Sequence, residues 1–130
     1  MHWLDGRLPH GTQLTHLICH AHEDIVASGD DLSNYFYCLR HIPAWYRRNI
    51  VGHAFDGAGY EEFGGRAGQQ YFIGFTVIFM GDLNALDIAQ LTHEDVLTDS
   101  GCRAEHETLR YGLPVPECCT WEGLYSDDHI

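Results

Sequence analysis

Residues 120–130 read TWEGLYSDDHI. The first seven have the composition of a strand, and two adjacent aspartates follow at the tip of what reads as a hairpin. Neighbouring carboxylates repel one another unless a positive charge lies between them, so the pair points to a divalent cation. A second aspartate pair, in SGDDLSNYF at residues 28–36, stands at another predicted strand end. Between them FMGDLNA, residues 79–85, joins a long apolar run to a predicted helix.

The chain has 130 residues, 45% of them hydrophobic, which is enough for one globular domain. Nineteen acids stand against seven basic residues, all of them arginine, for a formal charge of −12. A nucleic-acid surface ordinarily carries a basic stripe that displaces counterions from phosphates, and none is evident here. Contact with a phosphate backbone is therefore expected to run through metal ions, through the few arginines, or through protein beyond these residues. The five cysteines, Cys19, Cys38, Cys102, Cys118 and Cys119, are odd in number and form no C-x-x-C pair, so they read as reduced thiols of an intracellular protein. The opening MHWLDGRLPHGTQ does not resemble a secretory signal. The apolar run from Tyr71 to Gly81 falls short of the roughly 20 residues that cross a bilayer, and no membrane partner is expected.

Residues 1–14 read as loop, and 14–28 as a short helix leading into a strand. Residues 32–48 predict a helix ended by Pro43, and NIVGHAFDG (49–57) a strand turning at Asp56 and Gly57. A glycine-rich hairpin connection follows over 61–70, then a strand from Gln70 to Met80 so uniformly apolar that both faces should be covered. Residues 81–97 predict a helix with Asp82 as N-cap, with Ala85, Ile88, Ala89 and Val96 on the core face, and with Gly101 beyond its end. Gln90 is a polar residue on that helix with no assignable task. The order of elements predicts an α+β fold, an antiparallel sheet with helices packed on one face.

The three junctions, in their order and chemistry, resemble the palm domain of reverse transcriptases, the RNA-directed DNA polymerases of retroelement Pol polyproteins. DLSNYF from Asp31 looks like the first motif, an aspartate followed five residues later by an aromatic. Met80-Gly81 with its helix looks like the second, and Tyr125-Ser126-Asp127-Asp128 like the third. The likeness covers about residues 24–130, leaving 1–23 as a lead-in from fingers or palm. It implies two-metal nucleotidyl transfer to a primer 3′-hydroxyl, with two magnesium ions, or manganese in their place, about 4 Å apart. It implies Asp31, Asp127 and Asp128 as catalytic residues, with Asp31 and Asp127 bridging the metals and Asp128 in support. Asp30 competes with Asp31, since Tyr35 lies five residues beyond it. Phe36 would select deoxynucleotides by walling off a 2′-hydroxyl, and Gly81 would let the backbone approach the nascent base pair. Phe79 and Met80 stand where the family usually has proline and glutamine. The implied partners are an RNA or DNA template with primer, deoxynucleoside triphosphates and the remaining Pol domains. The chain is accordingly expected to be an incomplete palm, truncated at the catalytic hairpin, with the edge beside TWEGLYS unpaired. Alone it should bind magnesium weakly, tend to associate and extend no primer.

Two other classes compete. THLICHAHED sets His16 and His20 four apart with Cys19 and His22 nearby, a spacing that binds zinc on a helix if Cys118 and Cys119 complete the set. The other is a non-catalytic retroelement remnant.

Overall fold

The computed structural model describes residues 8–130, so the first part of the predicted lead-in lies outside the described residues. The fold is α+β, with few helices and two small antiparallel sheets. The chain divides into two compact units, residues 1–35 with 83–130, and residues 36–82. No helix among the described residues is long and apolar enough to cross a membrane.

In the first unit, α1 (Gly11–Leu14) starts from His10, whose ring accepts from the Thr12 N–H. This turn lies in residues that read as loop, and the helix predicted over 14–28 does not form. Beyond Leu17 the apolar residues lose any helical period, and Ile18, Ile25 and Val26 are exposed. Strands β1 (Asp30–Asp31), β4 (Leu124–Tyr125) and β5 (Asp128–His129) form a three-stranded sheet in the order β1-β5-β4. The expectation of an unpaired edge beside TWEGLYS is corrected here. His129 and Ile130 already return along it, Ile130 and Gly123 exchange two main-chain hydrogen bonds, and Glu122 is bridged on its other side to Thr108.

Helix α3 (Ala85–Asp99) is the longest element. It ends in a Schellman motif, with Gly101 at φ +73°, its N–H on the Thr98 carbonyl and the Cys102 N–H on the Leu97 carbonyl. Two expectations about it are corrected. Asn84, not Asp82, occupies the N-cap, without a side-chain bond, because Asp82 is engaged in the turn before it. The buried residues are Ala85, Asp87, Ala89, Gln90, His93 and Glu94, while Ile88 and Val96 are exposed. Two alanines let the helix approach closely, and polar side chains with partners on the sheet then fill the interface.

In the second unit, β2 (Ile50–Asp56) pairs antiparallel with β3 (Gln70–Gly74), with a register shift between Val51 and Phe55 that contains Gly52 at φ +76°. The Asp56 carboxylate ties the connection by accepting the N–H groups of Ala58 and Gly68. Gly57 permits the chain to close there, since a Cβ would lie 2.5 Å from the Arg66 nitrogen. The predicted strand to Met80 stops at Gly74, and its faces are not covered: Phe72 and Ile73 are exposed, and Ile78 alone is buried. β3 pairs on one edge with one strand, too little to screen its apolar side chains. The helix predicted over 32–48 is divided into α2 (Tyr35–Cys38) and a 3-10 helix (Pro43–Arg48) that Pro43 starts instead of ending a longer one.

Candidate functional site

β1 and β5 pair with Asp31 opposite Asp128 and Asp30 opposite His129. The Leu32 N–H donates to the Asp127 carbonyl at 3.0 Å. Ladder alternation then makes Asp31 and Asp128 a narrow, non-hydrogen-bonded pair whose side chains leave the same face of the sheet. Tyr125, opposite Asp128, shares that exposed face. His129 and Leu124 share the other, where Leu124 is buried. Strand alternation thus sends Asp31 to the open face and Asp30 to the face of His129, which separates two residues that spacing alone left in competition.

β4 and β5 are joined by a two-residue turn, Ser126-Asp127, with Ser126 at φ +58°. One positive φ at the first central position is the type II′ arrangement, which ordinarily takes glycine. Asp127 is half-buried, and its main chain rather than its strand position brings it to β1. The register therefore puts Asp128, and not Asp127, directly across from Asp31.

Behind the turn lies the polar face of α3. Gln90 accepts the Ser126 N–H at 2.7 Å and donates to the Leu124 carbonyl and the Glu94 carboxylate, both at 3.0 Å. His93 Nδ1 donates to the Ser126 carbonyl at 2.8 Å, so this nitrogen carries a proton. The Tyr35 hydroxyl donates to the Ala89 carbonyl at 2.9 Å, and its ring lies 5.6 Å from the His93 ring. Arg103, half-buried, lies 3.8 Å from Glu94, 3.3 Å from Glu105 and 3.9 Å from Glu122, and Glu122 lies 3.5 Å from His129. The sequence reading did not assign Gln90 a role and passed over His93. The available signal was three polar residues at i, i+3 and i+4 beside Ala85 and Ala89 on a helix otherwise rich in apolar side chains.

Phe36 and Gly81 belong to the second unit. Phe36 is half-buried in α2. Among the described residues a Cβ at Gly81 would meet the Phe79 ring, at 3.4 and 3.5 Å, and φ is not positive, so no described neighbour demands glycine there. In the same unit Asp82 accepts from the Phe79 N–H at 3.0 Å and from Asn49 at 3.4 Å, and its Oδ2 lies 2.8 Å from His41 Nε2. Burial, the largest single influence, raises its pKa, but the Phe79, His41 and Asn49 contacts together outweigh it and hold the carboxyl below its usual range. Glu61 is also lowered, chiefly by the Gly59 N–H.

Among the described residues, no ion pair or side-chain hydrogen bond engages the carboxylates of Asp31, Asp127 or Asp128. No group of three or more His, Cys, Asp or Glu side chains is arranged as a cage for a metal ion there. This goes against the zinc alternative, in which His16, His20, His22 and Cys19 would converge with Cys118 and Cys119. Cys19, His20, Cys118 and Cys119 line a common groove of about 940 Å³ without forming such a cluster. Magnesium at phosphoryl-transfer sites makes a lesser demand, one or two carboxylates with water and substrate phosphates completing the octahedron. An exposed, narrowly paired Asp31 and Asp128 with Asp127 beside them fit that requirement. No family model, no curated protein and no solved structure matches the chain.

Proposed function

We propose that the chain is the palm portion of an RNA-directed DNA polymerase. The carrying observation is the pairing of β1 with the Tyr-Ser-Asp-Asp hairpin, which brings the first and third sequence motifs to one sheet face. The helix that follows the second motif bonds directly to that hairpin. In this reading Asp31 and Asp127, with Asp128 in support, present hard anionic oxygens from neighbouring main-chain positions. Two bound magnesium ions, or manganese, supply Lewis acidity toward a primer 3′-hydroxyl and neutralise charge on the triphosphate. Like-charge repulsion across the Asp31–Asp128 pair favours cation capture, because the cation removes it.

Phe36 is proposed as the wall against a 2′-hydroxyl, and Gly81 as a position kept small for substrate, since no contact among the described residues requires glycine. The first unit holds fifteen acids and three arginines, so the template-primer must be gripped elsewhere. Arg40, Arg47, Arg48 and Arg66, all exposed and all within residues 36–82, are available for phosphate contacts. The remaining Pol domains would supply the rest.

The test is primer extension on an RNA template, with magnesium and deoxynucleotides, by the polypeptide of the natural reading frame that contains these residues. Extension lost at least about 100-fold in both Asp31→Asn and Asp127→Asn is expected, since each removes a metal-bridging charge. Extension that survives both changes, or a wild-type polypeptide that extends nothing, overturns the proposal.

A further inference from the structure

We infer that Gln90 and His93 are positioning residues for the Tyr-Ser-Asp-Asp hairpin: together they grip both main-chain polar groups of Ser126 and so fix where Asp127 and Asp128 present their carboxylates. The inference rests on the metal-site reading above and extends it to two side chains outside the acidic set.

Ser126 needs such a grip. A residue with a Cβ in the left-handed region costs about 1–2 kcal/mol, and the first position of a type II′ turn is ordinarily glycine. Its hydroxyl does not compensate, because Ser126 Oγ is buried without a hydrogen-bond partner among the described residues. The compensation comes from α3. With the Ser126 N–H on Gln90 Oε1 at 2.7 Å and the Ser126 carbonyl on His93 Nδ1 at 2.8 Å, the peptide groups on both sides of the strained residue are anchored. Gln90 also holds the Leu124 carbonyl, so the last strand residues before the turn and the turn itself hang from one side chain. The grips are themselves braced. Glu94 receives the second Gln90 N–H, and the His93 ring lies 5.6 Å from the Tyr35 ring and 6.4 Å from the His129 ring.

Simple adhesion between helix and sheet does not require this arrangement. Leucines at 90 and 93 would bury apolar area and hold the layers together. Only directional bonds to the N–H and the carbonyl of one residue fix the dihedral angles that aim the next two side chains. Groups that orient metal ligands from behind typically change metal affinity by about 10- to 100-fold when lost.

The experiment uses the 130-residue chain, with two readouts: amide hydrogen exchange at Ser126 and the magnesium dissociation constant by calorimetry. Gln90→Ala and His93→Ala should speed Ser126 exchange at least about 10-fold beyond any change at the Leu109 amide, which bonds to Glu122 in the same unit, and weaken magnesium about 10-fold. His93→Asn keeps an N–H near the Nδ1 position and should return both to within about 2-fold of wild type, whereas His93→Gln, whose amide reaches the Nε2 position, should not. If the alanine variants do not fold, the Asn and Gln pair decides the matter. Equal acceleration at Ser126 and Leu109, unchanged magnesium affinity, or no advantage of Asn over Gln overturns the positioning role. Wild-type chain that binds no magnesium, or binds it equally after Asp127→Asn, overturns the metal-site reading and the proposal with it, and is distinguished because Ser126 exchange still reports the grip.

Discussion

Among the described residues, seven polar or charged side chains are buried in the unit of residues 1–35 and 83–130, and none in the unit of residues 36–82. Among the described residues the first unit buries four hydrophobic side chains, Ala85, Ala89, Leu109 and Leu124, and the second buries Ile78. Neither owes its shape chiefly to a large apolar core. The charge differs as sharply: the second unit balances four acids with four arginines, and the first carries the whole net charge. The first unit thus has hydrogen-bonded polar groups inside and uncompensated carboxylates outside. The second is a two-stranded ribbon with Phe72, Ile73, Phe63 and Tyr60 exposed. Directional interior bonds confer a defined geometry, and a defined geometry is what the proposed metal-holding turn needs.

The largest expected effect breaks that comparison if it fails. Gln90→Ala leaves the Ser126 N–H and the Leu124 carbonyl unpartnered, and should cost about 2–6 kcal/mol at about 1–3 kcal/mol per orphaned group. Phe72→Ala, a larger truncation in the second unit at an exposed position, should cost no more than about 0.5 kcal/mol. Urea denaturation of both variants decides it, and equal losses would mean that the polar interior is no special support.

A smaller effect concerns acid stability in the second unit. Because the folded pKa of Asp82 is depressed, its contribution is fully present above the unfolded carboxyl pKa of about 3.9 and is lost as pH falls through the folded value. Hydrogen exchange across residues 36–82 should therefore speed up below that range in wild type, and Asp82→Asn should be less stable near neutrality with a flatter acid limb. An unchanged acid limb would remove Asp82 from the account of this unit.

The smallest effect probes the open face of the first unit. Asp128→Asn removes the like-charge pairing with Asp31 and should stabilise the metal-free chain by about 0.2–1 kcal/mol. Adding magnesium should cancel the advantage, because wild type gains from the cation and the variant loses a ligand. An advantage that persists in magnesium would mean that the pair meets no cation.

Much of this was legible in the residues. The hairpin around Asp56 and Gly57, the stop of α3 before Gly101, and the strand ends at Asp31 and Tyr125 all follow local signals: turn chemistry, a C-terminal glycine and short apolar runs. What was missed depends on neighbours that periodicity cannot name. Ile88 and Val96 look like the core stripe of α3, but the face that touches the sheet carries Gln90 and His93, whose partners are main-chain atoms 33 to 36 residues away. Asp82 has a cap residue's composition, yet Phe79, Asn49 and His41 claim its oxygens. The apolar run from Gln70 to Met80 reads as a buried strand because hydrophobicity reports what a residue tolerates and not how many layers cover it. Which sheet face Asp30 and Asp31 each occupy follows from the strand register and not from their spacing to Tyr35 or Phe36.

The most direct test of the proposed metal site is paramagnetic broadening of backbone amides in the 130-residue chain titrated with manganese. The account predicts that the first signals lost are those of residues 31–32 and 126–128, and that Asp31→Asn or Asp127→Asn restores them at the same manganese concentration. Broadening spread evenly over the acids of the first unit, or centred on His16, His20 and Cys19, would contradict it.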